Sequence, residues 1–108
     1  MTPDREVEGV LAQCALVQYQ SNAVVSRTVL KTGGGSVTAF AFDGGQELSE
    51  HTTPFEALVL IVEGEAEIGL DGTPFRVGTG QLMRLPGGRP HAVKALTRLK
   101  MMLVMIRA

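Results

Sequence analysis

Histidine occurs at only two positions in this chain, and each closes a run spaced by glycine or proline. Gly45 is followed by five residues and then His51; Gly80 is followed by five residues, Pro86, one residue, Gly88, two residues and His91. Imidazole binds borderline divalent metals and moves protons near neutral pH. Glycine and proline at such intervals mark turns. Both histidines therefore fall where strand ends could bring the two rings together.

The elements that would position them are short strands. Ala23 to Leu30 and Ser36 to Phe42 read as strands joined by Gly33-Gly34-Gly35, and Asp43-Gly44 closes the second. Ala57 to Leu70 is a long β-branched run that Glu63-Gly64 would bend or bulge. Asp71-Gly72 is a strong hairpin signal leading to Phe75–Val77. Gln81–Leu85, a tight loop from Pro86 to Pro90, His91–Ala95 and Leu99–Ile106 complete the series. Val7, Val10, Leu11 and Cys14 follow helical spacing after Thr2 and Pro3, which predicts one short N-terminal helix with Cys14 as a small core residue. Strands at this spacing predict an all-β sandwich or barrel.

The last strand is apolar on both parities. Leu99, Met101, Leu103 and Met105 make one row; Met102, Val104 and Ile106 make the other. A half-solvated strand would alternate with polar residues. One row should line the interior, and the other should be covered by the N-terminal segment or by a second copy of the chain.

Composition excludes several partners. A length of 108 residues fits one domain, and a formal net charge of −1 offers no basic field to nucleic acid or to an anionic membrane. No apolar run reaches spanning length. The single cysteine cannot form an internal disulfide, and Met-Thr-Pro-Asp-Arg-Glu does not begin as a secretory leader does, so a cytoplasmic location is expected. Lys31 precedes Gly33–Gly35, but no Gly-Lys-Ser/Thr follows, so these glycines are not a phosphate loop.

The two histidine frames resemble the motifs of the cupin superfamily, from about Ala23 to Ile106. Gly45 and His51 match the start of the family's first motif and Gly64 its end. Gly80, Pro86, Gly88 and His91 match the second motif, with Ala95 where the family carries asparagine. The resemblance implies an RmlC-like jelly roll, a double-stranded β-helix, spanning 23–108 after an N-terminal segment 1–22. It also implies a homodimer packed sheet on sheet. Family metal sites draw on four side chains, and in this chain those slots hold His51, Thr53, Ala57 and His91. Zinc and iron sites normally want three protein ligands. The implied metal (zinc, nickel, iron or manganese) would thus be held weakly by His51 and His91. Glu56 is the candidate third ligand or general base. Alternation points it away from the side of Ala57 unless a bulge or Pro54 turns the backbone, and it then reads as a solvated carboxylate. Arg84 is either an outward charge or an anion anchor in the lumen.

If Ala57 faces inward, so do Val59 and Ile61, and parity from His91 turns Val93 inward. One methionine row joins them. The expected function is small-molecule binding in an apolar cup, with His51, Thr53, Val59, Ile61, His91 and Val93 as contact residues. The alternative is a metal-dependent enzyme of dioxygenase, isomerase or decarboxylase type with a degenerate metal site. A third reading is an assembly scaffold whose lumen is filled. Fold alone does not choose among them.

Overall fold

The computed structural model describes residues 9–107. Among these the chain forms nine strands: β1 (Val24–Thr32), β2 (Gly35–Phe42), β3 (Glu47–His51), β4 (Glu56–Glu63), β5 (Glu65–Leu70), β6 (Thr73–Gly78), β7 (Leu82–Leu85), β8 (His91–Ala95) and β9 (Leu99–Ile106). They pack as two antiparallel sheets, one ordered β1-β2-β9-β4-β7 and the other β3-β8-β5-β6. This is the expected jelly-roll barrel. No helix among the described residues is long and apolar enough to cross a membrane.

Turn chemistry sets the corners. Asp71 (φ 53°) and Gly72 (φ 79°) both take positive φ between β5 and β6, as a two-residue type I′ hairpin requires. Gly64 (φ 95°) carries the chain from one sheet to the other, and a Cβ there would lie 2.1 Å from the carbonyl oxygen of Arg98. The long run from Ala57 to Leu70 is therefore two strands in different sheets. Between the sheets, Phe42, Val59, Ile68, Leu85, Leu99 and Met101 are fully buried.

Three bulges break the period-2 alternation, and each changes where a polar residue points. In β3 the partners step from Leu48↔Val93 to His51↔His91, so three residues of β3 advance against two of β8. In β1 they step from Thr28↔Thr38 to Leu30↔Val37, with Val29 extra. In β4 they step from Ile61↔Met101 to Glu63↔Lys100, with Val62 extra. Without these shifts His51, Lys31 and Glu63 would each face the opposite side of their sheet.

Both parities of β9 are accounted for on its N-terminal half. Leu99 and Met101 enter the main core; Met102 packs with Ala39 and Ala41 of β2 under Leu16, Val17 and Tyr19. The preceding segment is pinned there by polar contacts. The Tyr19 hydroxyl donates to Glu63 Oε2 at 2.6 Å, Lys100 Nζ donates to the Cys14 carbonyl, and Arg27 Nη1 donates to the Leu16 carbonyl. Burial and the Glu63 carboxylate raise the Tyr19 phenol above its usual range.

Two expectations need correction. Residues 9–12 are not helical, and the only helical turn among the described residues is a three-residue 3₁₀ turn, Gln13–Ala15. Val10 and Leu11 are exposed, and Val7, Thr2 and Pro3 lie outside the described residues. Cys14 is exposed, not in the core; only its carbonyl is held. Strand β3 was also missed. Glu47-Leu48-Ser49-Glu50-His51 has one apolar residue and no alternation, because it is an edge strand paired only to β8.

Candidate functional site

Two loops and two strand ends build the mouth of the barrel. The loop after β7 is turned by Pro86, Gly87 and Gly88 and delivers His91 as the first residue of β8. It is fastened to the segment before β4. Gly88 N donates to the Thr53 carbonyl at 2.8 Å, and Gly87 N donates to Glu56 Oε2 at 2.8 Å. Gly87 leaves no room for more: a Cβ there would lie 2.6 Å from the Pro54 carbonyl oxygen. On the other side Asp71 N donates to the Pro90 carbonyl at 2.9 Å, and Arg89 pairs with the Asp71 carboxylate.

Glu56 is the clamp of this loop. Arg84 Nε and Nη2 both reach its Oε1, at 3.1 and 2.7 Å. The Gly87 N–H and then the Arg84 guanidinium hold its carboxyl below the usual range. Glu56 pairs with Ile106 and Arg84 with Leu58, both in the outward row of their sheet, so alternation keeps these charges out of the lumen. The sequence offered Glu56 as a solvated group or a third metal ligand. The carboxylate stays partly exposed, as the solvated reading has it, and it also holds the Gly87 N–H, a contact visible only once Gly87 is seen to lie over it.

His51 and His91 are direct cross-strand partners. Their rings meet edge to face, with centroids 4.3 Å apart and an interplanar angle of 67°. His51 Nδ1 lies 2.9 Å from the Ser49 carbonyl. A carbonyl only accepts, so Nδ1 carries the proton and Nε2 is the free acceptor of the neutral ring. His91 is 5% exposed, and its Nδ1 is buried without a hydrogen-bond partner among the described residues. Burial, and secondly the charge of His51, lower the His91 pKa from its ordinary value; the backbone at Arg89 works the other way. At neutral pH the buried member of the pair is therefore an uncharged imidazole.

Beneath the pair lies a cavity of about 360 Å³. Among the described residues, His51, Thr53 and His91 are the only polar side chains in its wall. Ala57, Val59 and Val93 line it, as do Met101, Leu103 and Met105 of β9. Ile61 does not. It is buried in the core, four residues past Ala57, which is roughly 13 Å deeper along a strand. Phe40, Leu48 and Leu85 join the wall without having been foreseen. Leu48 was hidden because β3 was not recognised, although it is the one apolar residue in that stretch.

The donor set does not fit a resident metal. Thr53 offers a neutral hydroxyl, Ala57 offers nothing, and Glu56 is engaged elsewhere. Among the described residues no three histidine, cysteine, aspartate or glutamate side chains converge on a point that could hold an ion. What the site offers is hydrogen bonding and proton acceptance by neutral imidazole at the rim of an apolar cup.

Comparison with known proteins agrees with this architecture. The chain is similar over its whole length to a conserved protein of unknown function from Streptococcus pyogenes, at 34% identity, with 96% of that chain covered and a TM-score of 0.90. It is similar to a cupin superfamily protein from Desulfitobacterium hafniense at 24% identity, covering 98% of this chain and 97% of that one, with a TM-score of 0.89. It also resembles a cupin 2 conserved barrel domain protein from Leptotrichia buccalis at 33% identity, covering 87% of this chain and 46% of that one, with a TM-score of 0.84. No functionally curated protein matches it. Residues 39–107 match the cupin domain family, and the chain belongs to that family.

Proposed function

We propose that this cupin binds a small, mainly apolar organic molecule in its barrel, with His51, Thr53 and His91 as the polar anchors. The observation that carries the reading is the 360 Å³ cup whose wall holds just those three polar side chains. Concave, apolar sites with a few convergent polar groups are the usual form of a small-molecule site. The unpartnered Nδ1 of His91 adds to it, since a buried ring nitrogen without a partner is costly until a ligand or water supplies one. A melting-temperature screen of small acids, phenols and alcohols tests this. A compound at about a hundred times its dissociation constant adds roughly 2.7 kcal/mol of stability, which is several degrees in a domain of this size. The shift should shrink in His91→Ala, measured against that variant's own baseline. A broad library that moves nothing would return the barrel to the scaffold reading.

We further propose a homodimer formed through the outer face of the larger sheet. The described part of the N-terminal segment covers the part of that face around Met102. Elsewhere on that face Leu82, level with Met102 on the edge strand, is 60% exposed, and further along Ile106 is 52% and Leu30 44% exposed, beside half-buried Leu58 and Val104. A net charge of −1 offers little resistance to self-association. Light scattering at micromolar concentration should give twice the chain mass, and Leu82→Glu with Ile106→Glu should return it to one. A wild-type monomer across that range would end the idea.

A further inference from the structure

Beside the cup, and sharing Met105 with it, lies a second and more polar recess of about 500 Å³. Its floor is the inner face of the β1–β2 hairpin, where Thr28 pairs with Thr38 and Lys31 with Ser36. Ser36 and Thr38 in turn pair with Met105 and Leu103 of the cup wall. Moving across the sheet from β9 to β1, the lining thus changes from thioether and methyl, to hydroxyl, to ammonium.

The ammonium is there because of the bulge. Val29 is the extra residue in β1, and without it the alternation that aims Thr28 inward would aim Lys31 outward. Opposite Lys31 stands Arg107, whose backbone N donates to the Gly34 carbonyl at 2.9 Å and whose guanidinium lies 5.9 Å from the centre of the Phe55 ring. Among the described residues no acidic side chain lines the recess. Neither Lys31 nor Arg107 enters an ion pair among the described residues, whereas Arg76, Arg84, Arg89 and Arg98 all do. Glu56, next to Phe55, is committed to Arg84 and Gly87.

We infer that the ligand of this barrel is an amphipathic oxyanion. Its apolar body occupies the cup under His51 and His91, and its anionic head lies in the recess among the Thr28, Ser36 and Thr38 hydroxyls, facing Lys31 and Arg107. Hydroxyls donate to an oxyanion without neutralising it, lysine supplies a point charge, and arginine supplies a planar pair of donors. The recess is open to water, so the attraction is partly screened and salt-sensitive. This inference rests on the small-molecule reading of the cup.

The test is a matched set of alkyl and phenylalkyl compounds of equal length bearing a carboxylate, a phosphate monoester, a primary amide or an alcohol. Affinities would be measured by calorimetry on the wild type and on Lys31→Met/Arg107→Met, with circular dichroism confirming that the variant folds. At low salt the carboxylate or the phosphate should bind about tenfold tighter than its neutral partners, the scale of one charge-assisted hydrogen bond. Whichever oxyanion leads identifies the head group. The advantage should fall below about threefold in the double variant, or at 0.5 M salt, as expected for a screened charge pair, while the amide and alcohol bind as before. Oxyanions that bind no tighter than neutral compounds, or an advantage that survives the double variant, would overturn this inference and leave the cup reading intact. If no member of the set binds, the cup reading fails and takes this one with it.

Discussion

His51 faces His91 directly across the β3–β8 ladder, ring edge against ring face, and only His91 is buried. Two imidazoles this close cannot both take a proton cheaply, because the first charge disfavours the second. The His51 charge therefore weighs against protonation of the buried His91 at the rim of the cup.

Stability should follow this pair through the acid side of neutrality. Burial first, and the His51 charge second, lower the His91 pKa from 6.5. A group with a depressed folded pKa binds more protons when unfolded, so stability is fully present above 6.5 and is lost as pH falls below it toward the folded value. Melting temperature should decline across that window. His51→Gln should soften the decline by removing the repulsion, and His91→Leu should remove it. A wild-type curve that is flat there would show that His91 titrates normally.

Metal binding should be weak. With two imidazoles as the only converging donors among the described residues, added zinc or nickel should bind with modest affinity, and binding should fall as pH drops, since a ligating imidazole must be neutral. Either histidine replaced by alanine should abolish it. Elemental analysis after dialysis against chelator is the check, and a retained stoichiometric ion would mean that a third ligand has been overlooked.

The Glu56 clamp should control the loop that delivers His91. Glu56→Ala removes the acceptor of the Gly87 N–H and the partner of Arg84. Amide exchange at Gly87 and Gly88 should speed up while the core amides stay protected, and ligand shifts should shrink with them. The Glu56 carboxyl is held below its ordinary 4.5. Its contribution is present above that value and disappears as pH falls below it. Unchanged loop exchange in the variant would reduce Glu56 to a surface ion pair.

The corner at Gly64 should be intolerant of substitution. Positive φ and the Arg98 carbonyl 2.1 Å from any Cβ act together there. Gly64→Ala should cost more than about 2 kcal/mol by denaturant unfolding, whereas Gly→Ala at a compatible position gains about 0.4–1 kcal/mol. Ile68→Ala, in a fully buried site, should cost about 2–5 kcal/mol and serves as the scale. A neutral Gly64→Ala would mean that the strand corner can relax.

Sequence reasoning reached the barrel because turn residues have local causes. Asp71-Gly72, Gly64 and the Pro86–Pro90 loop act through their own backbone angles or short contacts, so each can be read in place. Both rows of β9 were likewise legible as needing cover. Strand β3 was not, since an edge strand has no reason to alternate. Parity arguments give a side of the sheet but neither depth nor the place of a bulge. They placed Val59 and Val93 on the cup wall, but gave no depth to Ile61 and could not see Lys31 turned inward. The engagement of Glu56 with Gly87 joins residues 31 apart, and no local signal encodes it.

The bulges also bear on how such a barrel acquires or loses a site. Removing one residue between Leu48 and His51 would restore plain alternation and turn the imidazole to the opposite face of the sheet, away from His91, with every remaining residue unchanged. Removing Val29 would do the same to Lys31. Insertions and deletions of single residues are thus as consequential here as substitutions at the ligand itself. Two homologues that agree at every aligned position could still differ in what they bind, through one gap in a strand.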